Sequence, residues 1–314
     1  MTRPIADPAH APARTRRRQR SLPLLRSALV AALVVACLVA LPVVLGVLRG
    51  GVSSGQGPGR VEGQVALGGL ESGACMSFAP AVGQATKTVF LDPGHGGLDP
   101  GVVGQVGGQE VQEKDVALSV GTRLAGLLQG DGYRVVMSRT KDSSVMKLSS
   151  SDAVDGSLKA TSVERDLVTR AACANASNAS MLLSIHFNAF GDPSVGGTET
   201  FYDDARSFSA DNKRLALDVQ RSLVAALGTT DRGVWTDDQL TTALTSTGSA
   251  YGHLIELGPA QPGYVDTPSD MPGALVEPLF LTNESEARTA DSPSGQQHIA
   301  EALRAGVERY LSGS

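Results

Sequence analysis

Cysteine is scarce: Cys37, Cys75 and Cys173 are the only three in 314 residues. Only the last two lie beyond the apolar run near the N-terminus, so one disulfide is the most that part of the chain can form. An oxidising exterior would permit it. A buried free thiol is the alternative for Cys173, which sits in the helical pattern RAACANAS. Basic charge is scarce too, outside the first 26 residues. Those hold seven of the 27 Lys and Arg and one of the 32 Asp and Glu, leaving 20 basic and 31 acidic side chains, a net of −11. An acidic body argues against nucleic acid as substrate. No internal repeat and no second globular unit is visible. From Ser27 to Leu48, SALVAALVVACLVALPVVLGVL, charge is missing altogether. Twenty-two residues at 1.5 Å rise span roughly 33 Å, enough for a bilayer core. Because RTRRRQR and Arg26 precede this run and no clean Ala-x-Ala site follows it, the expectation is an uncleaved single-pass anchor. Residues 1–26 would then be cytoplasmic and the remainder outside; secretion after signal cleavage is the alternative.

Residues 49–85 are rich in Gly, Ser and Ala with little periodicity, as in GGVSSGQGPG, and read as a flexible tether. A catalytic domain is expected over 86–314. Within it KTVFLD, YRVVMSR, MLLSIHFNA and ALVE have strand character. Glu113–Gly132 has Val116, Val120, Leu124, Leu127 and Leu128 at helical spacing. Further helices are expected over 164–180, 209–228 and 296–311. Strands alternating with helices predict an α/β fold: a twisted, mostly parallel sheet with helices on both faces, preceded by the one transmembrane helix.

In such sheets functional groups gather beyond the carboxyl ends of the strands. VFLDPGHGGLDPG, Val89 to Gly101, places His95 just past one strand; His186 closes MLLSIH and Glu277 closes ALVE. An exposed loop histidine would explain the first motif alone, since Gly and Pro punctuate turns. Two imidazoles and a carboxylate from His95, His186 and Glu113, the last at the start of the first helix, are also suitable ligands for a catalytic zinc. The residue types alone leave both readings open.

The ordered set VFLDPGHGGLDPG, EKDVALSVGTRLAGLL, VVMSRT, LLSIHFNAF, GGTETFY and ALVEPLFLTNESEA resembles the zinc-dependent N-acetylmuramoyl-L-alanine amidases, over roughly Lys87 to Tyr310. The resemblance implies a sheet flanked by helices and one zinc per chain, held by His95, Glu113 and His186. It also implies a catalytic glutamate at Glu277 and peptidoglycan as substrate, cut between muramic acid and the peptide stem. Glu256, in YGHLIELG, resembles the last motif less well, because PAQPG follows it. It is a candidate for the substrate groove or for a structural place. Ser184 shares a strand face with His186 and is expected to support the ligands or pack in the core. Arg139 and Asn188 are candidates for orienting ligands or binding substrate, or for capping strand ends. His253 and His298 fall outside the expected ligand set. The segment between Arg139 and Arg170 is longer than the family pattern and is expected to be a substrate-side loop or a surface insertion. A binding protein without catalysis and a zinc peptidase acting within the stem are the rival functions. No regulatory partner is indicated.

Overall fold

The buried strands form where apolar runs are long enough to face two layers at once. In the computed structural model, which describes residues 59–238 and 251–313, these runs build an eight-stranded sheet. In chain order the strands are β1 (Val61–Gln64), β2 (Ala74–Phe78), β3 (Thr88–Pro93), β4 (Val103–Val106), β5 (Gln109–Gln112), β6 (Arg134–Arg139), β7 (Ala153–Val154), β8 (Ser157–Leu158), β9 (Met181–Ile185), β10 (Thr198–Tyr202), β11 (Asp231–Thr236) and β12 (Gly273–Glu277). The sheet order is β1-β2-β6-β3-β9-β12-β10-β11, while β4-β5 and β7-β8 are separate hairpins. The neighbours β6-β3, β3-β9, β9-β12 and β10-β11 are parallel; β1-β2, β2-β6 and β12-β10 are antiparallel. The sheet is therefore mixed and mostly parallel.

Helices α1 (Glu113–Gly130), α2 (Ala160–Ala176), α3 (Ser209–Leu227), α4 (Glu284–Asp291) and α5 (Pro293–Ser312) cover it. Alternate residues of the central strands go to opposite faces. Val89, Leu91, Val135, Met137 and Leu183 pack against α1, α3 and α5. Phe90, Val136 and Leu182 pack on the other side against Cys173 and Ala174 of α2 and against Leu257 and Met271. The sequence spacing in α1 holds: Val116, Val120, Leu124 and Leu128 are buried, and Leu127 lies at the margin of the same core. The helix expected over 164–180 begins earlier, at Ala160, and ends at Ala176.

Two expectations are corrected. The tether over 49–85 is ordered in part, because β1 and β2 lie within it. ACMSF of β2 puts Ala74, Cys75, Ser77 and Phe78 inside the protein, and Cys75 is disulfide-bonded to Cys173 across 98 residues. Short, Gly-flanked strands lack the long periodic run that marks an element in a sequence. The single-pass anchor is also withdrawn, with the membrane partner and membrane location that went with it. Among the described residues no helix is long and apolar enough to cross a membrane. The long helices carry charge along their length, such as Lys114, Asp115 and Arg123 in α1 and Glu301, Arg304 and Glu308 in α5. Residues 27–48, where the anchor was expected, lie outside the described residues, as does the basic segment 1–26.

Candidate metal centre

Three parallel strands end side by side. Pro93 of β3 pairs with Ile185 of β9, and Ile185 pairs with Val276 of β12. The chain leaves them at one level, so His95, His186 and Glu277 reach the same edge. The hairpin β4-β5 brings the chain back to that edge, where α1 starts at Glu113. The donor atoms converge. His95 Nε2 is 3.1 Å from Glu113 Oε1 and 3.1 Å from His186 Nδ1, and His186 Nδ1 is 3.0 Å from the same carboxylate oxygen. Tetrahedral zinc with bonds of roughly 2.0–2.1 Å sets its ligand atoms about 3.3 Å apart. Two imidazole nitrogens and a carboxylate oxygen at this spacing fit such an ion.

The surroundings fix each donor. His95 Nδ1 lies 2.9 Å from Asp99 Oδ2, the kind of carboxylate contact that sets which ring nitrogen faces a metal. Glu113, 2% exposed, accepts from the Phe187 backbone N–H through Oε1 and from that of Val102 through Oε2, at 2.9 and 2.8 Å. Burial alone would raise its pKa. Hydrogen bonds from His186 and His95, and their charge, outweigh burial and hold the carboxyl well below its usual range. Two glycines of the DPGHGGLDPG loop are needed for clearance. A Cβ on Gly94 would come within 2.3 Å of the His186 ring, and one on Gly101 (φ 65°) within 2.5 Å of Glu113 Oε2. His95 itself has φ 62°, the left-handed region that residues other than Gly seldom adopt. The loop is held there from below: Arg170 Nη2 donates to the His95 carbonyl at 2.6 Å, and Arg139 Nη2 to that of Gly94 at 2.7 Å.

Glu277 is buried, and its Oε2 has no hydrogen-bond partner. Burial, then the charge of Glu113, push its carboxyl well above the ordinary range. It shares a cavity of about 320 Å³ with His95 and His186. The rest of the wall is largely apolar, with Leu158, Val163, Leu167, Leu254 and Ile255 among its residues. Leu158 and Val163 come from the long segment after Arg139, which forms the β7-β8 hairpin and the start of α2.

Glu256 lines the same cavity farther from the three donors, beside Asp92 and Arg170 rather than beside Glu113. Ser184 Oγ donates to Asp92 Oδ2 at 3.0 Å, beneath the site. Arg139 is fully buried, and its guanidinium is committed to the carbonyls of Pro93, Gly94, Lys114 and Lys141. It ties the histidine loop to the first turn of α1. The Asn188 side chain donates to Glu199 Oε1 and accepts from the Ala189 N–H. Glu199 is the register partner of Glu277 across β10 and β12.

Sequence reasoning missed Arg170 and its partners under the loop. Arg170 Nη1 donates to Asp92 Oδ1 at 2.8 Å and to the Pro93 carbonyl at 3.0 Å, while its Nε donates to Asp166 at 3.0 Å. Burial would raise Asp92, but the Arg170 charge wins and holds it down to about 2. The signal was present: an arginine on the apolar face of RAACANAS, where a charge needs a buried partner.

Comparison with known proteins adds relatives of this arrangement. Residues 89–309 match the family Amidase_3, described as N-acetylmuramoyl-L-alanine amidase. The chain is 32% identical over 243 residues to YqiI of Bacillus subtilis (strain 168), spanning 76% of this chain and 93% of YqiI. It is 33% identical over 231 residues to N-acetylmuramoyl-L-alanine amidase LytC of the same strain, spanning 74% of this chain but 36% of LytC. Among solved structures it is similar to the CwlD amidase from Clostridioides difficile, which was solved in complex with the GerS lipoprotein. The TM-score is 0.57 at 29% identity, over 73% of this chain and 100% of the CwlD chain.

Proposed function

The chain belongs to the N-acetylmuramoyl-L-alanine amidase family, and on that premise we propose that it hydrolyses the bond between N-acetylmuramoyl groups and L-alanine in peptidoglycan. His95, Glu113 and His186 would hold one zinc ion, and Glu277 would act as the general base. The observation that carries this reading is the meeting of three donor atoms at 3.0–3.1 Å beside a buried carboxyl oxygen with no partner.

Zinc, when bound, supplies Lewis acidity toward the attacking water and the scissile carbonyl. The chain's own groups do the rest. Glu277 accepts the proton of the water as it attacks and returns it to the amine of the departing L-alanine. Asp99 orients the His95 ring, and Arg139 and Arg170 keep the loop in its strained shape. The apolar wall limits water around the reacting groups. The Cys75–Cys173 disulfide supports action outside a reducing cytoplasm, where peptidoglycan lies.

Metal removal tests the reading. Chelation of the full chain should abolish release of peptide from purified peptidoglycan, and added zinc should restore it. Undiminished release from protein shown to hold no metal would refute it.

A further inference from the structure

A second cluster of metal-ligating side chains lies at the opposite edge of the sheet. β10 and β11 are parallel to each other, and β10 runs antiparallel to β12, so their carboxyl ends point away from the candidate zinc site. Asp203 follows β10 directly and Asp237 follows β11 directly. His253 joins them: its Nδ1 is 2.8 Å from Asp203 Oδ2 and 3.5 Å from Asp237 Oδ1. The three ligand atoms all lie within 4.8 Å of one another.

Apart from these contacts with one another, Asp203 Oδ2, Asp237 Oδ1 and His253 Nδ1 are buried atoms with no hydrogen-bond partner. Both aspartates are 0% exposed. Each is oriented by its other oxygen: Asp203 Oδ1 accepts from the Ala205 N–H and Asp237 Oδ2 from the Leu254 N–H, both at 2.8 Å. That leaves one free oxygen apiece, aimed at the same place as the ring nitrogen. Two carboxyl groups buried together disfavour each other's charged form. Accordingly burial, then the Asp203 charge among its neighbours, push Asp237 up to about 6, and burial raises Asp203. The nearest arginine, Arg206, gives its guanidinium to the carbonyls of Leu257, Gly258 and Ser269.

We propose that Asp203, Asp237 and His253 bind a second divalent cation, independent of the ion at His95, Glu113 and His186. One imidazole with two carboxylates favours zinc or a similar transition metal over calcium or magnesium, which prefer all-oxygen sites. The ion neutralises the buried charge and satisfies three stranded ligand atoms. Its position gives it a structural task. His253 opens the stretch Leu254, Ile255, Glu256 and Leu257, which forms one wall of the cavity beside Glu277. A cation at its start would fasten that wall to the ends of β10 and β11.

The test is metal counting on the purified full chain, stripped with chelator, reloaded with zinc alone and dialysed. Two zinc ions per chain are expected in the wild type, and one each in Asp237→Asn and in His186→Ala. In His186→Ala, zinc at a hundredfold excess over its Kd should raise the melting temperature by roughly 5 °C. Adding Asp237→Asn to that variant should abolish the rise. If Asp237→Asn does not fold, His253→Gln at the half-exposed position gives the same comparison. One zinc in the wild type, kept by Asp237→Asn and lost by His186→Ala, overturns the second site. One zinc lost by Asp237→Asn but kept by His186→Ala supports it, and refutes the ligand set of the proposed function instead.

Discussion

Glu277 and Glu256 are two buried carboxyl groups in one cavity, and their neighbours separate their roles. Glu277 ends β12 next to the donors, whereas Glu256 faces Asp92 and Arg170. Substitution Glu277→Gln keeps size and removes the proton acceptor. It should retain zinc and fold while losing at least ~100-fold in turnover, the scale of positioned acid–base catalysis. Glu256→Gln should lose less; the reverse order, measured as turnover of a defined muropeptide, would mean that the base is Glu256. Glu256 has a signature of its own in stability. Burial, then the Asp92 charge, push it well above its ordinary 4.5, so the folded protein keeps a proton that the unfolded chain gives up. Folding stability must therefore decline as pH rises above about 4.5 on its account. Asp92 works the other way: depressed to about 2, it contributes stability above its ordinary 3.8 that is lost as pH falls toward 2. Glu256→Gln removes the first effect and leaves the second. Its melting temperature should gain on that of the wild type between pH 5 and 8. A difference that does not vary with pH would contradict the raised carboxyl of Glu256.

At the scale of elements, legibility followed burial. β3, β9 and β12 are covered on both faces, so VFL, MLLSI and ALVE stand out as apolar runs, and the candidate residues at or just past their ends, His95, His186 and Glu277, could be named from the sequence. β10 and β11 could not be read that way. TETFY is three polar residues followed by two aromatic ones, with no apolar run, and DRGVWT is partly exposed with a glycine inside. Asp203 and Asp237 follow these two strands, which is why the cluster they form with His253 had no signal in the sequence. β2 was hidden in a Gly- and Ser-rich stretch, and its place depends on a partner 98 residues away through the Cys75–Cys173 bond. Closing a loop of about 100 residues constrains the unfolded chain by about 4.7 kcal/mol in the chain-entropy account. Replacing both cysteines by alanine should lower the denaturation free energy by about 4 kcal/mol. An unchanged denaturation midpoint, with folding shown by circular dichroism, would mean that the link contributes nothing to the described fold.

For the whole molecule, the α/β class was readable from strands alternating with helices, and the family resemblance singled out His95, Glu113 and His186, which the structure brings together. The identity of Arg170's partner Asp92 was not readable, since the two are 78 positions apart and meet through the interior, even though an arginine on an apolar helix face signals that a buried partner is needed. The acidic body, the disulfide and the apolar cavity beside the donors all agree with an enzyme of the wall rather than of nucleic acid. The claim that binds these features together is the bond that is cut. Mass analysis of the products from a defined muropeptide, incubated with the zinc-loaded full chain, tests it most directly. The account predicts a free stem peptide beginning with L-alanine together with a muramyl glycan that carries no peptide, and neither product from Glu277→Gln on the same timescale. Cleavage inside the stem peptide, or the same products at the same rate from Glu277→Gln, would contradict it.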